Sequence, residues 1–295
     1  MGYIAPMTLL ALAIVITSAF THASWNYLAK RVNGGTAFTV LISALAALFY
    51  APVMLYVMFT QQPSIGWMEL GLLSGSIIFQ YIYFNSLNRA YRVGDMSLVY
   101  PVARGSGPMF SLIMAITVLG ERPSLIAIGG AVMIGVGVLI LTRAASHASN
   151  VNASANRKAI GYALLVGLSI MSYTIWDKVS VSRFSIPPIL VNWSVHFGLI
   201  WLLLPYTVRN WSTVRATWRQ FKREAIIVGL LYPLAYLLVL TAMVFTPVSY
   251  IAPAREISIL VGSLMGMRLL GEGFTRTRLL GALVMTSGVL ALALG

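Results

Sequence analysis

The sequence predicts an all-α integral membrane protein, and three observations support this fold class. Hydrophobic residues make up 59% of the 295 positions and charged residues only 9%, whereas soluble domains carry about 25% charged residues. Ten apolar segments approach or exceed the length of about 20 residues that a membrane-spanning helix needs. Features of the first half of the chain recur 151 positions later in the second half. No alternation of apolar and polar residues indicates strands.

The ten segments are separated by polar gaps, and one of the two longest gaps falls near the middle of the chain. The predicted spans are 5–28, 36–60, 68–90, 94–118, 123–142, 158–180, 186–207, 223–245, 247–268 and 275–294. The gap 143–157 is rich in Ala, Ser and Asn, which is typical of a flexible linker. It divides the chain into two five-helix repeats, 1–142 and 158–295.

The number of helices per repeat predicts that the second repeat is inverted. Five helices leave the chain on the opposite side of the membrane, so the second repeat starts upside down, as in transporters whose halves rock around a shared site. Fifteen Lys and Arg residues lie in the gaps after odd-numbered helices, and three lie in the other gaps. Because basic loops stay in the cytoplasm, this count predicts both termini outside the cell membrane.

The segment 97–121 is the most informative stretch of the chain, because it is apolar yet carries Pro101 and Arg104 near its middle. A second copy follows, with Pro253 and Arg255, and both copies end on Leu-Gly-Glu. Proline lacks a backbone N–H and a charge is costly inside a bilayer, so neither copy suits a helix that faces lipid. Each copy is therefore expected to be a broken helix that borders a water-filled cavity between the repeats.

Arg104 and Arg255 are the only basic residues that the spans place deep in the bilayer, and Glu256 is expected to be the one acid there. One interpretation is that either arginine holds an anionic group of a substrate, such as a carboxylate. The other is that Arg104 pairs with Glu256 and joins two helices. Glu256 is a candidate for carrying a coupling proton as well as for a structural counter-ion.

A stripe of polar and aromatic residues follows one face of helix 1 and recurs on helix 6. His22 and Trp25 recur 151 positions later as Tyr173 and Trp176. These side chains are predicted to line the cavity, and the alternative is that the two tryptophans anchor helix ends at the lipid headgroups.

Three further tyrosines are candidate lining residues. Tyr100 precedes Arg104 by one turn, and Tyr81 and Tyr232 match across the repeat. Packing between helices is the default explanation for the matched pair.

Paired glycines on helices 5 and 10 predict closely packed faces, which are also a candidate contact for a weak homodimer of an otherwise monomeric chain. Glu121 and Glu272 are expected to fix the turn into the next helix.

Several function classes are disfavoured by composition. The chain has no cysteine, three scattered histidines and seven acids, so no metal site, cofactor or catalytic cluster is predicted. A membrane-embedded enzyme acting on lipids is the remote alternative. The net charge of +13 comes from short loops, which fits the orientation rule better than nucleic-acid binding.

The paired Pro–Arg segments, their Leu-Gly-Glu ends and the glycine-rich helices that follow resemble the drug/metabolite transporter superfamily, in its ten-helix EamA-type branch. The resemblance covers nearly the whole chain, and the YddG-type amino-acid exporters of bacterial inner membranes look most similar. It implies a basket-shaped bundle in which helices 1, 3, 4, 6, 8 and 9 line a central cavity. It also implies export of amino acids, including aromatic ones.

Two features depart from the family pattern. Many relatives are thought to keep their termini in the cytoplasm, which is opposite to the charge count here. Four-helix multidrug members use a glutamate in their first helix, where this chain has His22 and Asn26, so coupling by that route is not implied and facilitated diffusion stays open. Export of drugs, nucleosides or sugar conjugates is the alternative function.

Overall fold

The computed structural model describes residues 7–32, 35–93, 96–144, 153–262 and 276–295. Every regular element in these ranges is a helix, which confirms the predicted all-α class. The first repeat contains α1 (Leu9–Val32), α2 (Gly35–Gln61), α3 (Trp67–Val93), α4 (Met96–Thr117) and α5 (Leu125–Ala144). The second contains α6 (Ala153–Ser182), α7 (Pro188–Leu202), α8 (Leu204–Arg209), α9 (Trp211–Phe245), α10 (Val248–Ala254), α11 (described over 257–262) and α12 (Arg276–Leu294).

Two predicted boundaries in the second repeat are wrong. The predicted span 186–207 divides at Leu203, where α8 starts with a proline in its first turn, a position that suits a residue without a backbone N–H. The predicted span 223–245 is the end of a longer helix, α9, which also contains the amphipathic stretch before it. The two parts of α9 meet at Phe221, whose backbone is not helical (φ −125°, ψ 33°).

The two Pro–Arg copies differ in backbone. The first lies in α4, which is continuous from Met96 to Thr117, so the expectation of a broken helix is wrong there. The second is broken between α10 and α11, at Arg255 and Glu256. Arginine follows proline three positions later in the first copy and two positions later in the second, so the break falls where the repeat has shifted by one residue.

The contacts between helices of the two repeats follow the symmetry expected of an inverted repeat. The contact of α1 with α9 corresponds to that of α6 with α3, and the contact of α2 with α9 corresponds to that of α7 with α3. The contacts of α2 with α7 and of α5 with α12 each join equivalent helices of the two repeats. The repeats therefore interdigitate across a shared interface.

The helices α5 and α12, one from each repeat, approach each other closely. A Cβ on Gly130 would lie 2.6 Å from the carbonyl oxygen of Gly288, and a Cβ on Gly288 would lie 2.7 Å from that of Gly130. Only glycine permits this separation of two backbones. The glycine faces thus pack against each other within one chain, and a homodimer contact through these helices stays a prediction.

The outer surface is apolar, as a lipid environment requires. Leu125 is 86% exposed and Phe59 is 77% exposed, and many other large apolar side chains lie on the same outer surface. Within the described residues, four helices are long and apolar enough to cross a membrane, over 9–29, 35–61, 158–182 and 211–245. Shorter apolar helices lie at 125–140, 188–202 and 279–294.

Candidate functional site

An ion pair joins the first Pro–Arg copy to the second. Nε of Arg104, on α4, lies 3.2 Å from Oε2 of Glu256, at the break between α10 and α11. Nη2 of Arg104 also donates to Oγ of Ser258 at 3.2 Å. The side chains are only 13% and 6% exposed, so the charges neutralise each other away from bulk water. This is the pairing that the sequence suggests as the structural role of Arg104.

The break is positioned by tight turns and by a cap from the other repeat. The N–H of Glu256 donates to Pro253 and that of Ser258 to Arg255, so the backbone bonds here span three residues instead of four. At the start of α10, the carboxylate of Glu121 accepts the N–H groups of Val248 and Ser249, both at 2.8 Å. Glu121 therefore caps the helix that carries the second Pro–Arg copy.

This role of Glu121 differs from the expected one. Its side chain binds the partner repeat, whereas the sequence suggests a contact with the turn into the next helix. Its counterpart Glu272, with the second Leu-Gly-Glu, lies outside the described residues.

Arg255 has a different environment from Arg104. Its guanidinium lies over the ring of Tyr236, 5.4 Å from the ring centroid, and the residue is half-buried. Within the described part of the chain the one ion pair is that of Arg104 with Glu256. Arg255 therefore has no carboxylate of these residues in salt-bridge contact, although its guanidinium offers five N–H donors.

A second acid lies inside the bundle, so the expectation that Glu256 is the only one is wrong. Asp177 on α6 is 0% exposed. Its Oδ1 accepts the hydroxyl of Ser76 from α3, and its Oδ2 accepts the hydroxyl of Tyr236 from α9 at 2.5 Å. Tyr236 thus touches both the buried carboxylate and the guanidinium of Arg255.

Aromatic rings form a continuous series that ends at Arg255. Their centroids are separated by 4.9 to 6.4 Å, and their planes meet edge to face, the geometry that aromatic pairs prefer. The series runs through His22, Trp25, Tyr232, Phe84, Tyr83, Tyr173 and Tyr236. It draws side chains from α1, α3, α6 and α9, and so it crosses the interface between the repeats.

His22 and His196 lie at the far part of this series. His22 lies within electrostatic reach of both Arg104 and Arg255. His196, from α7, packs edge-on against Tyr232 with a centroid separation of 5.3 Å. Within the described ranges, no three His, Asp or Glu side chains lie close enough together to hold a metal ion.

The comparisons with known proteins fit this architecture. The model of the EamA-like transporter family matches residues 8–143 and 157–294, which is most of the chain in two successive copies. The chain belongs to the EamA-like transporter family. It is therefore a membrane transporter of the drug/metabolite superfamily with two repeats. A solved crystal structure superposes on this EamA-like transporter with a TM-score of 0.72 and 13% sequence identity, covering 96% of each chain, and shows the same fold. No curated protein sequence matches the chain.

The transporter brings most of the predicted site residues together, but not all. Arg104, Arg255 and Glu256 meet at the break, and His22, Trp25, Tyr173 and Tyr232 belong to the aromatic series. Tyr81 is half-buried on α3, and the ring contacts of the described residues do not include it. Tyr100 is on α4, and its side chain lies outside the described part of the structure.

Trp176 faces a separate groove. Its Nε1 donates to the carbonyl of Leu72 at 2.7 Å, and its ring packs edge-on against Phe79. The groove holds about 340 Å³ between α3, α4 and α6, and Arg183 lies at one end of it. Trp176 therefore fastens α6 to α3 beside the candidate site, and its role as a lining residue stays a prediction.

Sequence reasoning missed Asp177 and Tyr236 as site residues, although a signal was present. Asp177 stands 151 positions after Asn26, so it occupies the polar stripe of helix 6. Tyr236 lies one turn after Tyr232 on the same face of α9. A carboxylate at this position differs from its neutral repeat counterpart, and that substitution singles Asp177 out.

Proposed function

We propose that this transporter exports small metabolites, most specifically amino acids including aromatic ones, by alternating access around Arg255. The observation that supports the proposal most is the guanidinium of Arg255. It stands inside a helix bundle beside the ring of Tyr236, and no carboxylate of the described residues lies within salt-bridge distance of it. A desolvated cation is costly without an anion, so the site favours a substrate that supplies one.

A carboxylate suits this guanidinium in shape as well as charge. The planar fork of an arginine binds both oxygens of a carboxylate at once, and stacking on Tyr236 holds the fork in one orientation. The half-buried rings of Trp25, Tyr232 and Tyr236 offer apolar faces close by. An amino acid with an aromatic side chain would therefore satisfy the cation and pack against the rings.

The position of the site fits alternating access. Arg255 lies at a helix break of the second repeat, and α4 of the first repeat is tied to the same break through Arg104. Rocking of one repeat against the other would expose the region to each side of the membrane in turn. We propose that both termini lie outside, because the basic residues concentrate in the loops of the opposite side, and that the membrane is a bacterial inner membrane, as the resemblance to amino-acid exporters implies.

Uptake into proteoliposomes tests the proposal. Purified transporter is reconstituted, and the entry of labelled L-phenylalanine is compared with entry into liposomes without protein. We expect a clear excess that Arg255→Met reduces about tenfold or more, because a hydrogen-bonded charge contributes about 1.5–3 kcal/mol. Arg183→Met is the matched control, since Arg183 is exposed at the end of α6.

The contrary results separate the alternatives. No flux of any amino acid would reject the amino-acid class. Competition of a measurable flux by nucleosides, sugar conjugates or drugs, with no competition by amino acids, would transfer the assignment to that class. An equal loss in Arg183→Met would show that removing any arginine impairs the reconstituted protein.

A further inference from the structure

We propose that Asp177 is the proton-binding site of this transporter and that Tyr236 links its protonation to Arg255. The inference rests on the proposed function for the substrate, but the proton site is defined by side chains of this chain alone. It names the ion that drives transport. It is supported by the contacts of one buried carboxyl, which bring together side chains from three different helices.

Among the described residues, no cation lies within salt-bridge distance of Asp177. It is fully buried, and its two oxygens accept hydrogen bonds from the neutral hydroxyls of Ser76 and Tyr236. A structural carboxylate inside a membrane protein usually pairs with a cation, as Glu256 does with Arg104. Asp177 instead has an environment that can hold it with or without its charge.

Ser76 can form a hydrogen bond with Asp177 in its protonated form as well as in its ionised form. The hydroxyl of Ser76 lies within hydrogen-bond distance of two acceptors, Oδ1 of Asp177 and the carbonyl oxygen of Leu72 at 3.2 Å. When a hydronium ion delivers a proton, an O–H bond forms on Oδ1 and the carboxylate loses its charge. The Ser76 hydroxyl then turns to Leu72 and accepts the new O–H, so every buried polar group keeps a partner.

The protonation state of Asp177 also affects Tyr236. Its hydroxyl donates to Oδ2 at 2.5 Å, while its ring carries the guanidinium of Arg255 at 5.4 Å. A hydrogen bond to an ionised carboxylate is roughly twice as strong as one to a neutral carboxyl. Protonation of Asp177 therefore weakens the hydrogen bond that fixes the position of Tyr236. The ring of Tyr236, against which the guanidinium of Arg255 packs, is then held less firmly. The proton and the substrate anion thus act on one shared tyrosine.

Several other ionisable groups lie near Asp177, and most of them make contacts elsewhere. Arg255 is the cation that acts on Asp177, and Tyr173 lies one turn earlier on the same helix. Lys178 points away and donates to the carbonyls of Met243 and Thr246. Among the described side chains of α4 and α7, Arg104 is held by Glu256 and His196 packs on Tyr232.

An infrared titration of the purified transporter tests the proton site without any substrate. As the pH falls, a C=O stretch of a protonated carboxylic acid is expected in the wild type in addition to those of the other six acids, and this additional band should be missing in Asp177→Asn. Glu69→Gln makes the same chemical change at the start of α3, where the carboxylate binds the N–H of Gly66, and should leave this band in place. Persistence of the full band in Asp177→Asn would overturn the proposal.

A flux experiment tests the link to transport. Entry of labelled L-phenylalanine into proteoliposomes is measured with and without a pH gradient. We expect the gradient to accelerate entry in the wild type, and the acceleration to be lost in Tyr236→Phe, which keeps the carboxyl band of Asp177 but lacks the hydroxyl. Full gradient response in Tyr236→Phe would overturn the link.

The two experiments separate failure of this inference from failure of the proposed function. A wild-type flux that ignores the gradient would overturn proton coupling while amino-acid transport stands. If no amino acid moves at all, the proposed substrate class fails, and the infrared titration still decides whether Asp177 binds a proton. Tyr236→Phe also covers the case in which Asp177→Asn does not fold, because it leaves the carboxyl intact.

Discussion

The two copies of the Pro–Arg segment have the same sequence pattern but different structures. Arg104 stands in a continuous helix, bound to Glu256 and Ser258. Arg255 stands at a helix break, and its guanidinium lies over the ring of Tyr236. The difference shows how a duplicated segment can divide two tasks. One arginine joins the repeats, and we propose that the other binds an anion of the substrate.

Helix packing between the repeats is symmetric in several places. Gly130 and Gly288 each approach the backbone of the other, so α5 and α12 contact each other symmetrically. Helix contacts between the repeats likewise occur in matched pairs. The break at Arg255 and Asp177, whose repeat counterpart is the neutral Asn26, are two places where the repeats differ. The predictions below test whether this division between symmetric frame and asymmetric site holds.

The largest effect on stability is expected from Glu256→Gln. The change removes one partner of a buried ion pair and leaves Arg104 uncompensated, which costs about 3–5 kcal/mol of unfolding free energy. Denaturant unfolding in detergent micelles measures it. The double variant Arg104→Met/Glu256→Met, which removes both charges, should lie closer to the wild type. If Glu256→Gln is as stable as the wild type, the ion pair of Arg104 contributes little to the free energy of unfolding. The difference in role between Arg104 and Arg255 would then be contradicted.

Alanine at either symmetric glycine should have a smaller and equal effect. In Gly130→Ala the new Cβ would lie 2.6 Å from a backbone oxygen of the opposite helix, and in Gly288→Ala 2.7 Å. Overpacking of this kind costs about 1–3 kcal/mol. Gly129→Ala is the matched control, because a Cβ there meets nothing within 4 Å. Clearly unequal losses in the same unfolding assay would contradict the symmetric frame.

The smallest effect is expected from Glu121→Gln. The amide keeps one acceptor oxygen, so one of the two bonds to the start of α10 is lost together with the charge that favours a helix N-terminus. We expect a loss of about 1–2 kcal/mol in the unfolding assay. Glu69→Gln, at a more exposed carboxylate with a single backbone bond, should cost less. If both variants unfold alike, the contact between repeats at Glu121 contributes little.

Much of the fold could be predicted because apolar length is a direct physical requirement of the bilayer. The ends of α7, α8 and α9 were not predictable in this way, since a proline or a non-helical Phe221 interrupts segments without changing their hydropathy. The helix break at Arg255 coincides with the one-residue shift between the two repeats. The sequence shows this shift, but packing between helices determines whether the backbone breaks there.

The candidate site was predicted only in part, for a different reason. Arg104 and Glu256 could be paired in advance because charges inside a bilayer need partners. The direction of Trp176 could not, because the rotation of a helix within a bundle depends on its neighbours, and the close approach at Gly75 directs this ring to α3. Asp177 was missed because its two hydroxyl partners come from segments distant in sequence.

The binding of L-phenylalanine and of its amide tests the central claim about Arg255 most directly. The two compounds differ mainly in the carboxylate, so calorimetry on the detergent-solubilised transporter isolates the contribution of that group. We expect the wild type to bind the carboxylate form about tenfold more tightly or better, and Arg255→Met to bind both compounds equally weakly. Retention of the full carboxylate preference by Arg255→Met would contradict the assignment of Arg255 as the anion site.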